Sequence, residues 1–329
     1  MSRLLLIDGN AILHRAYHAY PPNFTDKEGN PTNAIYGFFA MMIKLLQEMK
    51  PEYLAICFDR GAPTFRMNMY AGYHENRPKM SDDLSPQVPR LQNALEEIGI
   101  PLFGVQGYEA DDLLGTLARQ AKDKGLRIKD KEKDLETIIL TGDRDLLQLV
   151  NEHVKILMPL VGITKTMLFD EGRVEAKYGV KPSQFIDYKA LVGDASDNYP
   201  GVSGIGPKTA SNLLQKFGTF ESLYTRIAEL PPQIGEKLAN DAEQASLAKK
   251  LATIVTDAPV HLKLEKCDVA KFNLKKFEEV FDGFGFESLK KRMLGKGDVP
   301  KGNKAAFTKS SGEPRKKDPQ SVSAQLELL

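Results

Sequence analysis

The sequence predicts an α/β fold built around a parallel β-sheet. Short apolar runs at residues 4–7 and 53–58 alternate with longer segments of helical periodicity, and an acid follows each run directly. Buried parallel strands have this continuous apolar character, and a strand, a helix and a strand with short connections form the unit of a parallel sheet. The composition, 42% hydrophobic and 27% charged over 329 residues, suits one large domain or two smaller ones with a tail.

The remaining elements of the first half follow the same alternation. Residues 33–49 repeat apolar side chains at helical spacing, and the helix is expected to stop before Pro51. Further helices are predicted at 11–19 and 88–98, from 110 onward and from 146, and further strands at 101–105, 137–140, 154–158 and 164–168.

Residues 61–89 break this pattern. The segment has few aliphatic residues, and Arg, Lys, Tyr, Met and Pro are interleaved along it. We interpret it as an exposed, mobile excursion from the sheet. Interleaved cations and aromatic rings suit a single-stranded nucleic acid, because cations meet phosphates and rings meet bases. A solvated loop or lid without a special role is the alternative interpretation.

Carboxylates recur where the predicted strands end. Seven of them come directly after a strand or after the short loop that follows it: Asp8, Asp59, Glu109, Asp111, Asp112, Asp143 and Asp145. The acids at 109–112 taken alone favour the interpretation of a capped helix start, because the helix dipole stabilises acids in the first turn. In a parallel sheet, however, the carboxyl ends of the strands converge on one edge. Seven converging carboxylates need compensating cations, and without a Cys or His set the natural choice is Mg²⁺ or Mn²⁺.

A second region begins near Pro182. It adds Asp194 and Asp197, which bring the acidic set to nine, and then a Gly-Ile-Gly-Pro-Lys-Thr-Ala turn that opens a helix. Free backbone N–H groups at a helix start, together with Lys208, can hold a phosphate. As a bare pattern, Gly-x-Gly is weak evidence for phosphate binding. Between two helices, this stretch reads as a hairpin that grips a duplex backbone without reading its sequence.

Bulk properties exclude several classes of protein. The net charge of +1 says little, and the two cysteines, Cys57 and Cys267, form neither a disulfide framework nor a zinc-binding set. No signal peptide or membrane-spanning run is present, so we expect a cytoplasmic protein without a membrane partner. From residue 295 the composition turns to Gly, Lys, Ser and Pro without periodicity, which predicts a disordered basic tail.

Four motifs together resemble one family. Asp-Gly-Asn at 8–10, Tyr-Glu-Ala-Asp-Asp at 108–112, Thr-Gly-Asp-Arg-Asp at 141–145 and Gly-Asp-Ala-Ser-Asp-Asn at 193–198 occur in the order seen in bacterial 5′-nucleases. Over roughly residues 3–290 the chain is similar to the 5′→3′ exonuclease domain of DNA polymerase I and to flap endonucleases. The resemblance implies a Rossmann-like (PIN-like) core at 1–180 with a helical arch at 61–89, a helical duplex-binding region with a helix-three-turn-helix at 181–294, and the tail at 295–329.

The resemblance also implies roles for individual residues. All nine acids resemble the family's metal-site residues, which hold two or more Mg²⁺ or Mn²⁺ ions, some of them through water. His74 and Arg77 are implied in catalysis. The implied DNA contacts are Tyr17, Arg66, Arg77, Lys79, Gly204, Gly206, Lys208 and Thr209. The helix-three-turn-helix further suggests a bound K⁺, and the implied substrates are branched or nicked DNA with a 5′ single strand and RNA primers.

The chain departs from the family pattern in the arch. The family usually has Tyr-Lys where this chain has Tyr73-His74. Histidine is mostly neutral at pH 7 where lysine is charged, so His74 could weaken catalysis or make it pH-dependent. The alternative is that Arg77 or Lys79 takes over the role of the missing lysine. The charged connection at 122–133 is also longer than expected.

The last residues suggest a partner. No polymerase region follows the nuclease region in this sequence, and we expect a monomeric, stand-alone nuclease; a piece excised from a longer protein is the alternative. The terminal Gln325, Leu326, Leu328 and Leu329 resemble the peptide by which bacterial replication proteins bind the sliding clamp, with the tail as a tether. A chance leucine-rich terminus is the alternative.

Two rival functions remain at this point. A toxin-like ribonuclease would share the sheet, but it would lack the arch and the Gly-Ile-Gly region. A catalytically weak or inactive protein of the same fold that binds branched DNA would retain both. Nine acids argue against such a binder, because unpaired carboxylates beside DNA phosphates weaken binding. His74 is the one feature in its favour.

Overall fold

A six-stranded sheet organises the first half of the protein. The computed structural model describes residues 2–61, 63–125, 135–161 and 165–295. The strands are β1 (Ser2–Asp8), β2 (Tyr53–Cys57), β3 (Leu102–Phe103), β4 (Leu135–Leu140), β5 (Val154–Val161) and β6 (Lys165–Phe169). Their order is β3-β2-β1-β4-β5-β6; neighbours from β3 to β5 are parallel, and β6 runs antiparallel to β5. The predicted α/β fold with a mostly parallel sheet is confirmed.

Helices cover both faces of this sheet. They are α1 (Gly9–Ala19), α2 (Asn33–Met49), α3 (Phe65–Met69), α4 (Gln87–Ile98), α5 (Ala110–Gly125) and α6 (Glu171–Tyr178). The helix predicted at 33–49 has those bounds. After β4, where a helix was expected from residue 146, the chain forms a short 3₁₀ helix, Asp145–Leu149.

The second region is helical apart from one small hairpin. Its helices are α7 (Phe185–Val192), α8 (Pro207–Phe217), α9 (Phe220–Thr225), α10 (Pro232–Asn240), α11 (Ala242–Ala252), α12 (Leu264–Cys267), α13 (Leu274–Phe284) and α14 (Glu287–Met293). Single 3₁₀ turns lie at Pro182–Gln184, Ile227–Glu229 and Val269–Lys271. Strands β7 (Gly193–Asp194) and β8 (Tyr199–Pro200) form an antiparallel pair.

The two faces of the sheet pack against different helices. Along β1, Leu4 and Leu6 join a core that includes α5 and much of the second region, whereas Leu5 and Ile7 join a core of α1, α2, α4, α13 and α14. Alternate side chains of a strand point to opposite faces, so a strand buried on both must be apolar throughout. The wholly apolar run at 4–7 therefore reflects burial on both sides.

The segment between β2 and α4 is anchored on its inner side. Arg66, Tyr73 and Leu84 are 2%, 6% and 2% exposed, while Met67 and Met80 face solvent. The prediction that residues 61–89 form an exposed excursion is therefore wrong for Arg66, Tyr73 and Leu84, which are buried against the rest of the protein.

Some predictions fall outside this description. The tail beyond residue 295, including the four terminal residues expected to bind the clamp, and the connection at 126–134 lie outside the described residues. Within the described ranges, no helix is both long and apolar enough to cross a membrane.

Gln87 completes the N-terminus of α2. Thr32, at the N-cap position, makes no side-chain cap, but the fully buried Gln87 accepts hydrogen bonds from the N–H groups of Ala34 (2.9 Å) and Ile35 (3.3 Å). Its amide also donates to Asn33 Oδ1. A helix start buried without such a partner would leave its first N–H groups unsatisfied.

We expect Gln87→Leu to lower the free energy of unfolding by about 2–3 kcal/mol, because a leucine of similar size leaves buried donors unpaired. Urea unfolding measures this change. Gln92→Leu, at a half-buried position of α4, the helix that also carries Gln87, is the control and should change stability little. Equal stability of the two variants would contradict the capping role.

Candidate active site

Most of the predicted acids meet in one cleft at the carboxyl edge of the sheet. The cleft has a volume of about 1150 Å³ and is lined by seven of the nine: Asp8, Asp59, Glu109, Asp111, Asp143, Asp145 and Asp197. They meet because β2, β1 and β4 are adjacent parallel strands that end at the same edge. Asp194 lines an adjoining cleft, and Asp112 lines neither.

Hydrogen bonds fix the acids at the strand ends. Asp8 is the last residue of β1; its Oδ1 accepts from the N–H of Ala11 at 2.9 Å and its Oδ2 from the Thr141 hydroxyl at 2.8 Å. Asp59 Oδ1 accepts from the N–H of Ala110 at 2.8 Å, at the start of α5. Each contact joins one strand end to a neighbouring element, so the carboxylates are held before any ligand binds.

Glu109 is held by the segment after β2. Its carboxylate accepts hydrogen bonds from the Thr64 hydroxyl (2.9 Å), Arg66 Nη1 (3.0 Å) and the Tyr73 hydroxyl (3.2 Å). The segment expected to capture a nucleic acid strand thus also positions a carboxylate of the site.

Two predicted roles change in the structure. Arg66, expected to contact DNA, is buried and donates in a fork to both carboxylate oxygens of Asp112 at 2.8 Å, and further to the carbonyl groups of Leu251 and Thr253. Asp112, expected to hold a metal ion, is 0% exposed, and its oxygens also accept from the N–H groups of Val255 and Glu109. Asp112 lines neither cleft, and Arg66, which does line the acidic cleft, already uses its guanidinium in these hydrogen bonds, so the structure favours a supporting role for both over the predicted contacts with metal and DNA.

A second acidic group lies where the second region meets the sheet. Asp145, Asp194 and Asp197 each offer an oxygen, and these oxygens lie within 4.8 Å of one another. The β7–β8 hairpin places Asp194 and Asp197, and it requires glycine: a Cβ on Gly193 (φ +78°) would lie 2.3 Å from the backbone nitrogen of Gly201. Loss of either glycine would shift both aspartates.

Lys189 is a site residue that the sequence analysis missed. It lies on α7, is 8% exposed, and its ammonium forms ion pairs with Asp145 Oδ1 (2.5 Å) and with Asp194. Burial opposes its charge, but the two carboxylates raise its pKa above the ordinary value. Its position five residues before Asp194 is the only sequence signal, and ordinary helical lysines share such spacings.

His74 and Arg77 both reach Asp197. His74 Nε2 and Arg77 Nη2 lie 3.1 and 3.0 Å from Asp197 Oδ1, and the His74 ring stacks on Tyr73. The backbone N–H of His74 donates to the carbonyl of Asp197. His74 adopts a positive φ of 60°, a conformation uncommon for a residue with a side chain. Both backbone and side-chain hydrogen bonds therefore connect residues 74–77 to the loop of the β7–β8 hairpin.

Burial and mutual repulsion disfavour the ionised carboxylates. Burial, with the nearby charge of Asp59, raises the pKa of Asp8 to about 7, although the Ala11 N–H opposes the shift. Burial and Asp143 raise the pKa of Asp145 to about 8. Burial also raises the pKa values of Asp59, Glu109, Asp111 and Asp143. Asp194 is the exception: burial opposes its ionisation, but Lys189 more than offsets this and lowers its pKa.

These residues fit divalent metal ions. The donors are carboxylate oxygens, which hard cations such as Mg²⁺ prefer, and oxygens less than 4.8 Å apart can share one ion. Bound cations would also relieve the repulsion that raises the carboxyl pKa values. Lys189 already pairs with two of the three closest aspartates, so an ion bound there would share Asp145 and Asp194 with its ammonium group.

The other predicted contacts lie in two places. Tyr17 and Lys79 line the acidic cleft beside His74 and Arg77. Gly204, Gly206, Lys208 and Thr209 line neither cleft. Gly204 and Gly206 lie in the turn before α8, with Gly206 as its N-cap, and Lys208 and Thr209 lie in the first turn of the helix, which begins at Pro207.

Comparison with known proteins identifies the family. Residues 3–179 match the family model of the 5′-3′ exonuclease N-terminal resolvase-like domain, and residues 180–275 match that of the 5′-3′ exonuclease C-terminal SAM fold. The chain belongs to the 5′-3′ exonuclease family. It is therefore a nuclease by family, as the motifs predicted.

Two relatives differ in length. The chain is 40% identical over 293 residues to DNA polymerase I of Caldicellulosiruptor bescii, covering 88% of this chain and 33% of that protein. It is 37% identical over 293 residues to the 5′-3′ exonuclease of Aquifex aeolicus, covering 89% of this chain and 96% of that one. The chain thus spans about a third of the length of the DNA polymerase I relatives.

Solved structures share the fold at low sequence identity. The T5 5′-exonuclease with bound divalent zinc ions is 20% identical with a TM-score of 0.62, covering 86% of this chain and 99% of that one. The catalytic core of Rad2 in complex with a DNA substrate is 17% identical with a TM-score of 0.54, covering 90% and 92%. The predicted fold, a core with a mostly parallel sheet followed by a helical C-terminal region, is confirmed.

We expect Arg66→Met to lower the free energy of unfolding by about 3–5 kcal/mol, because it leaves the Asp112 carboxylate buried and unpaired. Adding Asp112→Leu should restore part of the stability, since the second change removes the stranded charge. Urea unfolding of both single variants and the double variant measures the coupling. Additive losses would show that the pair is not coupled.

The metal-free protein should lose stability as the pH rises from about 4 to about 8. The folded carboxyl groups of Asp8 and Asp145 titrate at about 7 and about 8, whereas unfolded aspartates titrate near 4. The folded state therefore binds more protons than the unfolded state in this window, and deprotonation disfavours folding. Thermal unfolding in a chelator measures the trend.

Two controls accompany this measurement. Asp145→Asn should flatten the pH dependence, and an added divalent ion should restore stability at the higher pH. A melting temperature that rises with pH in the chelator would contradict the assignment.

Proposed function

We propose that this protein is a structure-specific, divalent-metal-dependent 5′ nuclease that acts as a monomer in the cytoplasm. Its substrates are 5′ flaps, 5′ ends at nicks in duplex DNA and RNA primers, encountered during DNA replication and repair. The observation that carries the proposal is the cleft itself, where seven carboxylates meet His74, Arg77 and Lys79. Carboxylates suit metal ions, and the adjacent cations suit a phosphate backbone.

The acidic residues divide into two groups around the proposed ions. Asp8, Asp59, Glu109, Asp111 and Asp143 surround one part of the cleft, and Asp145, Asp194 and Asp197 form the other. We propose two or more Mg²⁺ or Mn²⁺ ions, some held through water. Such ions, when bound, supply an activated water and neutralise charge on the departing oxygen.

The chain's own residues orient the substrate. Arg77 and Lys79 are exposed at the cleft and would hold the phosphates of the 5′ strand, with Tyr17 against a base. Gly204, Gly206, Lys208 and Thr209 would grip the duplex backbone through the N-terminus of α8, with a K⁺ ion at this turn. In this proposal, residues 1–180 cut the strand and residues 181–294 hold the duplex.

A catalytically weak binder of branched DNA is the second candidate. One observation favours it: His74 stands where the family usually has lysine, and it is engaged with Asp197. A neutral imidazole would supply less charge for the scissile phosphate than an ammonium group. Cleavage by His74→Lys alone, with no cleavage by the natural sequence, would favour this candidate.

We expect cleavage of a 5′-labelled double-flap DNA near the junction in Mg²⁺ or Mn²⁺, and a loss of about a hundredfold or more in Asp111→Asn, because the variant loses one metal-site charge. Glu96→Gln, at an exposed position of α4, is the control and should cut normally. Tight binding of the flap without cutting in either ion would reject the nuclease proposal for this chain.

We also propose that the terminal residues 325–329 bind the replication sliding clamp. Apolar anchors at the end of a long polar segment would raise the local concentration of the nuclease at its substrate. Deleting residues 325–329 should abolish clamp binding in a pull-down or calorimetric measurement while flap cleavage without clamp stays normal. Unchanged binding after the deletion, or no binding by the full chain, would reject the proposal.

A further inference from the structure

A second cleft adjoins the acidic one. It has a volume of about 950 Å³ and lies between α1, the loop after β4, and α7. Its charged lining is mostly basic: His14, Arg15, His18, Arg77, Arg144 and Lys189, against Asp143 and Asp194. The two clefts share walls, including His14, His18 and Arg77, so a group bound in the second lies next to the carboxylates of the first.

Part of this positive charge has no carboxylate partner. Arg144 is exposed and makes no ion pair within the part of the chain that the structure describes. It approaches Lys177 closely enough that, after burial, its charge lowers the lysine pKa. His14 also lines the cleft beside His18 and Arg77, and burial together with these neighbours lowers the His14 pKa. The neighbouring charges of Arg144 and Lys177, which have no carboxylate partner among the described residues, favour an anion between them.

A buried hydroxyl group points to the same ligand. The Tyr178 hydroxyl is buried without a hydrogen-bond partner in the described structure, and Tyr178 lines this cleft near Arg144. A buried O–H donor without an acceptor is unfavourable by about 1–3 kcal/mol, so such groups are normally satisfied. An anion in the cleft would supply the acceptor that the protein lacks.

We propose that this basic cleft binds the terminal 5′-phosphate of the strand being degraded. The inference rests on the proposed nuclease function, because the adjacent carboxylates would then hold the phosphodiester to be cut. A phosphomonoester carries close to two charges at neutral pH, more than the single charge of a phosphodiester, and three acceptor oxygens. Arg144 and the Tyr178 hydroxyl supply the matching donors.

The proposal predicts a preference between two ends that differ in one group. A nicked duplex is prepared with either a 5′-phosphate or a 5′-hydroxyl at the nick, and a fluorophore on the unbroken strand. The full chain should bind the 5′-phosphate nick about tenfold more tightly in a chelator, the size of one or two charge-assisted hydrogen bonds. Fluorescence anisotropy measures the binding, and the same substrates are then cut in Mg²⁺.

Variants assign the preference to this cleft. Arg144→Gln should remove most of the difference by weakening only the 5′-phosphate nick, and Tyr178→Phe should remove part of it. Arg119→Gln, an exposed arginine of α5 outside both clefts, should keep the natural preference.

Two outcomes would overturn the inference. Equal binding of both ends by the natural sequence would exclude a terminal phosphate site. Equal weakening of both ends by Arg144→Gln would show that the arginine contacts an internal phosphodiester instead. The binding measurement needs no cleavage, so it remains decisive if the nuclease proposal fails. Normal cutting without an end preference would reject this inference alone.

Discussion

Repulsion among buried carboxylates is the constraint around which this protein is built. Adjacent parallel strands bring Asp8, Asp59 and Asp143 to one edge of the sheet. Burial there raises the pKa of each carboxyl group, so its ionised form is less favourable than in water. The hydrogen bonds at the strand ends keep these groups in place despite the repulsion. A site of this kind gains from a bound cation, because the cation offsets both the unfavourable burial of the carboxylate charges and their mutual repulsion.

The protein's own cations come from outside the sheet. Arg66 reaches Asp112 and Glu109 from the segment after β2, Lys189 reaches Asp145 and Asp194 from α7, and Arg77 reaches Asp197. The sheet therefore cannot complete the site without the later part of the chain. This dependence agrees with the single compact unit that the described residues between 2 and 295 form.

The two clefts divide the charge of the site by sign. Carboxylates line the first, and basic side chains, among them the exposed Arg144, line much of the second, with α1 and Arg77 forming part of both. A polyanionic strand can lie across such a boundary only when its phosphates meet cations on both sides of the carboxylates. Basic groups beside an acidic centre therefore compensate for the repulsion between the carboxylates and the substrate.

The sequence by itself determined the sheet, the strand ends and most of the acidic set. Continuous apolar runs followed by acids predict buried parallel strands, and parallel strands bring Asp8, Asp59 and Asp143 together without further information. Only the tertiary structure decided the roles of Arg66, Asp112 and Lys189. Their partners lie on other elements, up to 187 residues away for the Arg66 contact with Thr253, and no local pattern encodes such a contact. Burial then decides whether an arginine or an aspartate faces a ligand or supports a residue that does.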